Sequence, residues 1–173
     1  MGRARADGTR VRVLAWGCVA LWTALIFGLS TDSFSADQTS GIIGPLLDFF
    51  FPGLDAGTRA LVHFLVRKLA HFVEYAVLGI LSWRALRMGE PWSALRTGAP
   101  RSELRSAALA VAFLLAVAAL DETGQATRAS RTGSPRDVAL DTAGGITGVC
   151  LALGVRALGR RRAALSFPRP PVP

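Results

Sequence analysis

The stretch Val13–Leu29, VLAWGCVALWTALIFGL, decides the fold class, because seventeen successive residues carry no charge. A helix needs about 20 mainly apolar residues, with about 17 as the lower limit, to cross the core of a bilayer. Four arginines precede the run, as they would in a secretory signal peptide. However, the run exceeds the ~7–15 apolar residues of such a peptide, and no small-residue cleavage site follows it. We therefore predict a retained membrane helix at about 11–30.

The rest of the chain repeats this pattern. Hydrophobic residues make up 51% of the sequence and charged residues only 18%, with a mean hydropathy of +0.38. Three more apolar runs reach spanning length once their flanks are included, and they predict helices at about 66–87, 104–123 and 136–158. The predicted fold is an all-α, polytopic membrane protein with four transmembrane helices in a bundle.

The first predicted outer loop contains a shorter apolar segment, Ile42–Phe51. It is too short to span, and Pro45 and Pro52 interrupt it, so we predict an interfacial or re-entrant segment. Asp55 has the position and side chain of an N-cap for the helix that follows.

The charges indicate the orientation. With the N-terminus inside, fourteen arginines and three acids fall on the inner side, against six bases and nine acids outside. This is the positive-inside bias of a membrane protein. It predicts a multi-pass protein of the cell membrane with cytoplasmic N- and C-termini. The pI near 11.3 then reports topology, so no nucleic-acid partner is implied.

Two polar constellations fall at the predicted outer ends of the helices. In the first, spacings of three and four place Lys68, His71 and Tyr75 on one helical face, with Glu74 at its edge. Lys68 is the only lysine of the chain and Tyr75 its only tyrosine. The second constellation comprises Asp121, Glu122, Gln125, Arg131, Asp137 and Asp141.

Ionisable residues in membrane spans face a polar interior or a partner, so these ten residues form the predicted ligand-binding set. A self-satisfied structural ion network remains the alternative. On the same face of the last helix, Gly144 and Gly148 form a small-xxx-small pair that predicts close helix packing.

These residues resemble the signatures of VanZ-like membrane proteins. The first signature is carried by Lys68-x-x-His71-Phe72-x-x-Tyr75-x-x-Leu78-Gly79. The second, longer one runs from Asp121-Glu122-x-x-Gln125 through Arg131 and Asp137 to Asp141, Gly144 and Gly148. Two departures are Asp141, where the family usually has Asn, and residues 126–130, where it usually has apolar residues and Pro-Gly before the arginine.

The resemblance implies a small protein of the bacterial inner membrane, acting at the cell envelope. It also implies antibiotic resistance of the teicoplanin type, because the founding member of the family is associated with that glycopeptide. On this basis the chain divides into a basic N-terminus at 1–12, a VanZ-like membrane domain at 13–158 and a basic, proline-rich tail at 159–173.

Three functions of different classes remain open. One is a binding protein whose outward pocket holds an anionic lipid or a lipid-linked envelope precursor through Lys68 and Arg131. Another is an intramembrane enzyme acting on a lipid headgroup, with His71 and Glu122 as candidate acid–base residues. The last is a lipid transporter, which requires an oligomer because four helices are few. No spacing along the chain indicates a metal site, and no cofactor is expected.

Overall fold

The computed structural model describes residues 2–30, 36–88, 100–126 and 134–166. These residues form helices and short connections, with no strand among them. The basic termini predicted at 1–12 and 159–173 fall partly outside the described residues. The helices are α1 (Gly2–Leu29), α2 (Ala36–Phe50), α3 (Ala56–Met88), α4 (Pro100–Ala126) and α5 (Pro135–Ser166).

Three segments are long and apolar enough to cross a membrane: Gly8–Leu29, Ser102–Gln125 and Pro135–Ala163. They indicate a membrane protein. The remaining predicted span, at about 66–87, lies within α3. It is not among the three, and its apolar run is interrupted by His71 and Glu74 and bounded by Lys68 and Arg84. The structure therefore supports a helical membrane protein without establishing four spans.

Contacts between the helices give their relative directions. Lys68 and His71 of α3 contact Asp137 and Asp141 of α5 in the same order, so these two helices run parallel. The start of α4 meets the end of α5 through Glu103 and Arg156, so these two helices run antiparallel. Helix α1 packs on α3, and its last turn reaches the end of α4. The bundle thus brings together polar residues that lie far apart in the sequence.

The junction of α2 and α3 follows local sequence signals. The carboxylate of Asp55 accepts bonds from the Thr58 amide at 2.9 Å and from the Thr58 hydroxyl at 2.5 Å. The predicted N-cap is confirmed, and these bonds, led by that of the Thr58 side chain, hold the pKa of Asp55 below its ordinary value. Gly53 supplies the positive φ of the turn, at 101°.

The segment predicted to be interfacial or re-entrant forms most of helix α2. Helix α2 continues through Pro45, which removes one backbone donor without ending the helix. It packs on α3, and Asp48 forms an ion pair of 2.5 Å with Arg59. The side chains of Phe49 and Phe50 at its end are exposed.

Beside its apolar core, the bundle exposes many large apolar side chains and buries several acids. Large apolar side chains such as Leu21, Leu120 and Val155 are 64–72% exposed. Asp121 and Asp141 are only 4% and 2% exposed. An apolar surface of this extent is unfavourable in water and favourable against lipid chains. The distribution supports a bundle that faces lipid and places its polar groups inside.

The glycines of α5 allow it to approach α3 closely. A Cβ added at Gly144 would overlap the backbone carbonyl of Phe72, and one at Gly148 would overlap that of Ala76. The same is true of Gly79, which faces the backbone carbonyl of Gly145. The axes of α3 and α5 can therefore lie this close together only because glycines occupy the contact positions of α5. Small-xxx-small pairs allow such close packing.

We expect Gly148→Ala to destabilise the bundle by roughly 1–3 kcal/mol, because the added methyl has no space against the Ala76 backbone. Gly154→Ala is the matched control on the same helix, since nothing lies within 4 Å of its added Cβ. Thermal melting in detergent, followed by circular dichroism, measures both. Equal melting temperatures for the two variants would contradict the close-contact interpretation.

Candidate ligand-binding site

The candidate site lies where α1 and α4 end, α5 begins and the middle of α3 passes between them. Nine of the ten predicted site residues are described there. Arg131 lies outside the described residues. The described residues of the site form a polar cluster, which consists of Ser30, Lys68, His71, Glu74, Tyr75, Asp121, Glu122, Gln125, Asp137 and Asp141.

Asp121 is bound on one side of its carboxylate. The hydroxyl of Ser30 donates to Oδ2 at 2.8 Å, and Gln125 Nε2 donates to the same oxygen at 3.1 Å. The bond to Gln125 is within one helical turn, as the spacing along α4 indicates. The bond to Ser30 joins α1 to α4. Both are charge-assisted bonds in a buried setting, where they stabilise more than exposed ones.

His71 faces Asp141 across the contact between α3 and α5. Its Nδ1 lies 3.5 Å from Asp141 Oδ1, and the two side chains are 21% and 3% exposed. This separation is long for a hydrogen bond, and Oδ1 has no hydrogen-bond partner among the described residues. His71 is thus close to a buried carboxylate oxygen that remains incompletely satisfied.

His71, Asp121 and Asp141 also form a set that could hold a metal ion. One donor atom from each lies within 4.8 Å of the others. The spacing along the chain did not predict this arrangement, because the donors come from α3, α4 and α5. Imidazole and carboxylate are both ligands of Zn²⁺ and of other divalent cations.

Lys68 and Asp137 form a partly exposed ion pair one turn further out. Nζ lies 2.5 Å from Oδ1, and the side chains are 27% and 30% exposed. Lys68 also sits over the ring of Phe64, 5.3 Å from its centroid. Asp137 is in the first turn of α5, where the helix dipole favours a negative charge. The pair lies beside the more buried His71 and Asp141.

The other residues of the polar cluster hold helices together or remain unpaired. Glu122, a candidate acid–base residue, accepts a bond from the backbone amide of Ser134 and so links α4 to the start of α5. At Glu74 the backbone carbonyl accepts from Trp22 Nε1 at 2.9 Å. Tyr75 is fully buried, and its hydroxyl has no partner among the described residues.

Residues 15–156 match the family model of VanZ/LLP1. The chain belongs to this family. No curated protein and no solved structure matches it. The matched range of this VanZ/LLP1 protein contains every residue of the polar cluster.

The prediction from sequence missed three contributors to the site: Trp22, Ser30 and Ser134. Each lies at the end of a helix or on its apolar face, and each donates to a residue on another helix. Ser30 carries the clearest signal, because it is the hydroxyl that directly follows the apolar run of α1. Nothing in the sequence indicates that Ser30 pairs with Asp121, which lies 91 residues away.

A second group of charges lies at the opposite end of the VanZ/LLP1 bundle. Glu103 accepts from Arg156 Nε at 2.7 Å and also from Arg160, and it lies 4.0 Å from Arg87. A cavity of about 450 Å³ lies beside this group, away from the polar cluster. Its lining includes the apolar residues Ile80, Trp83, Leu151 and Val155 and the basic residues Arg84, Arg87 and Arg156.

We expect Ser30→Ala to lower the stability of the protein by about 1–3 kcal/mol, because it removes a donor from the buried Asp121 carboxylate. Thr147→Ala is the control, since the exposed Thr147 hydroxyl bonds only its own helix, at Ala143. Its effect should stay within about 0.5 kcal/mol. Melting temperatures in one detergent compare them, and equal losses would argue against the bond between α1 and α4.

Proposed function

We propose that this VanZ/LLP1 protein acts at the cell envelope and binds the anionic headgroup of a lipid or of a lipid-linked precursor. The carrying observation is the partly exposed Lys68 beside a buried polar cluster in a bundle with an apolar surface. Ionisable groups are costly in a membrane interior and mark sites for polar ligands there. An incoming phosphate would compete with Asp137 for Lys68, and Arg131 would supply the second cation.

The proposal includes four membrane spans, with α3 as the additional one. Only His71 and Glu74 interrupt its apolar run; His71 faces Asp141 of α5, and Glu74 is half-buried. The N- and C-termini are then cytoplasmic, since the basic residues gather at the ends of the helices away from the polar cluster. Helix α2, with Phe49 and Phe50 exposed, would lie at the outer interface.

The orientation is tested by reporter fusions. We expect green fluorescent protein to fluoresce at either terminus, and periplasmic alkaline phosphatase to be active only when inserted at residue 53, between α2 and α3. The physical reason is the excess of arginines at the termini. Active phosphatase at either terminus would contradict the proposed topology, and activity at only one terminus would contradict an even number of spans.

Binding is tested by mass spectrometry of lipids that co-purify with the protein. We expect one anionic lipid class to be retained by the wild type and to fall at least about 10-fold in Lys68→Ala and Arg131→Ala, since each loses a charge-assisted contact. Arg136→Ala is the matched control, because Arg136 is exposed at the same end. An unchanged lipid profile in both test variants, at normal expression, would reject the shared pocket.

Lipid at the opposite end needs a separate control. The cavity between α3 and α5 has an apolar lining with arginines at its side, which suits an acyl chain and a phosphate. Arg84→Ala should therefore affect a lipid population different from that lost in Lys68→Ala.

The envelope function that the family resemblance implies is tested separately. The measurement is the teicoplanin susceptibility of cells that express the wild type or Lys68→Ala.

A second candidate function, lipid-headgroup hydrolysis or transfer, is favoured by the His71–Asp141 pair. A carboxylate 3.5 Å from Nδ1 favours a protonated Nδ1 by its charge, and this leaves Nε2 to move a proton. Glu122 is less suited to this role, because it accepts the Ser134 amide. If the protein is an enzyme, His71→Ala should accumulate a lipid that wild-type cells convert. Identical lipid profiles would count against catalysis.

A further inference from the structure

We propose that His71, Asp121 and Asp141 bind a divalent transition cation such as Mn²⁺ or Zn²⁺. The three side chains come from α3, α4 and α5, and their donor atoms lie within 4.8 Å of one another. This inference does not rest on the lipid-binding function proposed above, since it requires no bound headgroup.

The distance between His71 and Asp141 fits shared coordination better than a direct hydrogen bond. Nitrogen-to-oxygen hydrogen bonds lie mostly at 2.7–3.2 Å, whereas Nδ1 and Oδ1 here are 3.5 Å apart. Two donors about 2.1 Å from one ion, at a tetrahedral angle, are about 3.4 Å apart. The observed separation matches that expected of two ligands on one cation.

Asp141 provides the second, independent observation. Its side chain is 3% exposed and its Oδ1 has no hydrogen-bond partner among the described residues. An unsatisfied buried carboxylate oxygen costs several kcal/mol unless a partner compensates it. The oxygen faces His71 within the triad of His71, Asp121 and Asp141, where a bound cation would be its partner.

Charge balance also favours a cation. Two carboxylates and a neutral imidazole around one divalent ion carry no net charge, which is the cheapest state to bury among apolar residues. Among the residues that the structure describes, a protonated His71 would compensate only one of the two carboxylates. Lys68 does not fill this role, because its Nζ lies on Asp137.

The surrounding contacts orient the proposed ligands. Ser30 and Gln125 both bond Oδ2 of Asp121, which fixes this carboxylate and leaves its other oxygen outside these two bonds. Such outer partners are typical of metal sites, where they hold first ligands in place. One imidazole with two carboxylates is a ligand set that suits Mn²⁺ and Zn²⁺. Ca²⁺ and Mg²⁺ prefer sites with oxygen ligands alone.

The test uses the full-length protein in detergent, stripped with a chelator and then titrated with MnCl₂ or ZnCl₂. After gel filtration we expect about one ion per chain by elemental mass spectrometry. Asp141→Asn and His71→Ala should each weaken binding by about 100-fold or more, since each removes a direct ligand. Asp48→Asn should bind as wild type, because Asp48 is an exposed carboxylate paired with Arg59 and lies outside the polar cluster.

A measurement on the wild type keeps the proposal testable if a variant fails to fold. Electron spin-echo spectroscopy of bound Mn²⁺ should show coupling to one imidazole nitrogen, because His71 is the only histidine in the triad. The assignment would be overturned if the wild type retains no ion or binds one without nitrogen coupling, or if Asp48→Asn loses the ion as completely as Asp141→Asn.

Discussion

The close contact between α3 and α5 is the constraint on which the polar cluster depends. The two helices are parallel, so their contacts advance together, with Lys68 at Asp137 and His71 at Asp141. This register holds only because the backbone of α3 lies against Gly144 and Gly148. A wider separation would leave the buried Asp141 further from His71, which is costly in apolar surroundings. Packing and electrostatics are therefore set by the same contact.

The two ends of the bundle treat charge differently. At one end, the described residues include five buried or half-buried acids (Glu74, Asp121, Glu122, Asp137, Asp141), one histidine and one lysine. At the other end, Glu103 lies among several arginines. An acidic interior attracts protons and cations, whereas an arginine-rich end attracts phosphates of the membrane surface. The charges of the polar end partly cancel when they are summed. Among the described residues, however, its buried acids are not each paired with a base.

Local signals in the sequence predicted local structure well. Asp55 caps α3 as expected, and Asp121 bonds Gln125 one turn away, because both interactions depend only on nearby positions. The residues gathered at the site also followed from the inward-facing rule for ionisable groups in apolar helices. The signal was composition and position, which bring the residues to one end of the bundle.

The partners of those residues could not be predicted from spacing. Helical periodicity tells which side chains share a face, but the rotation and register of each helix decide which residue stands opposite. Hence Glu122 holds the Ser134 amide instead of His71, and Ser30 contacts Asp121 from 91 residues away. Helix α2 continues through Pro45 for a related reason, since packing on α3 outweighs the loss of one backbone bond.

The chemistry of the site depends on a single nitrogen, Nδ1 of His71. A proton on Nδ1 points toward Asp141 and leaves Nε2 as a base, which is the arrangement for catalysis. A cation in the triad requires the lone pair of the same Nδ1, so that Nε2 carries the proton instead. The two states exclude each other in one molecule. Because Asp121 adds a second buried negative charge beside the pair, a proton on Nδ1 compensates the site less completely than a divalent cation does.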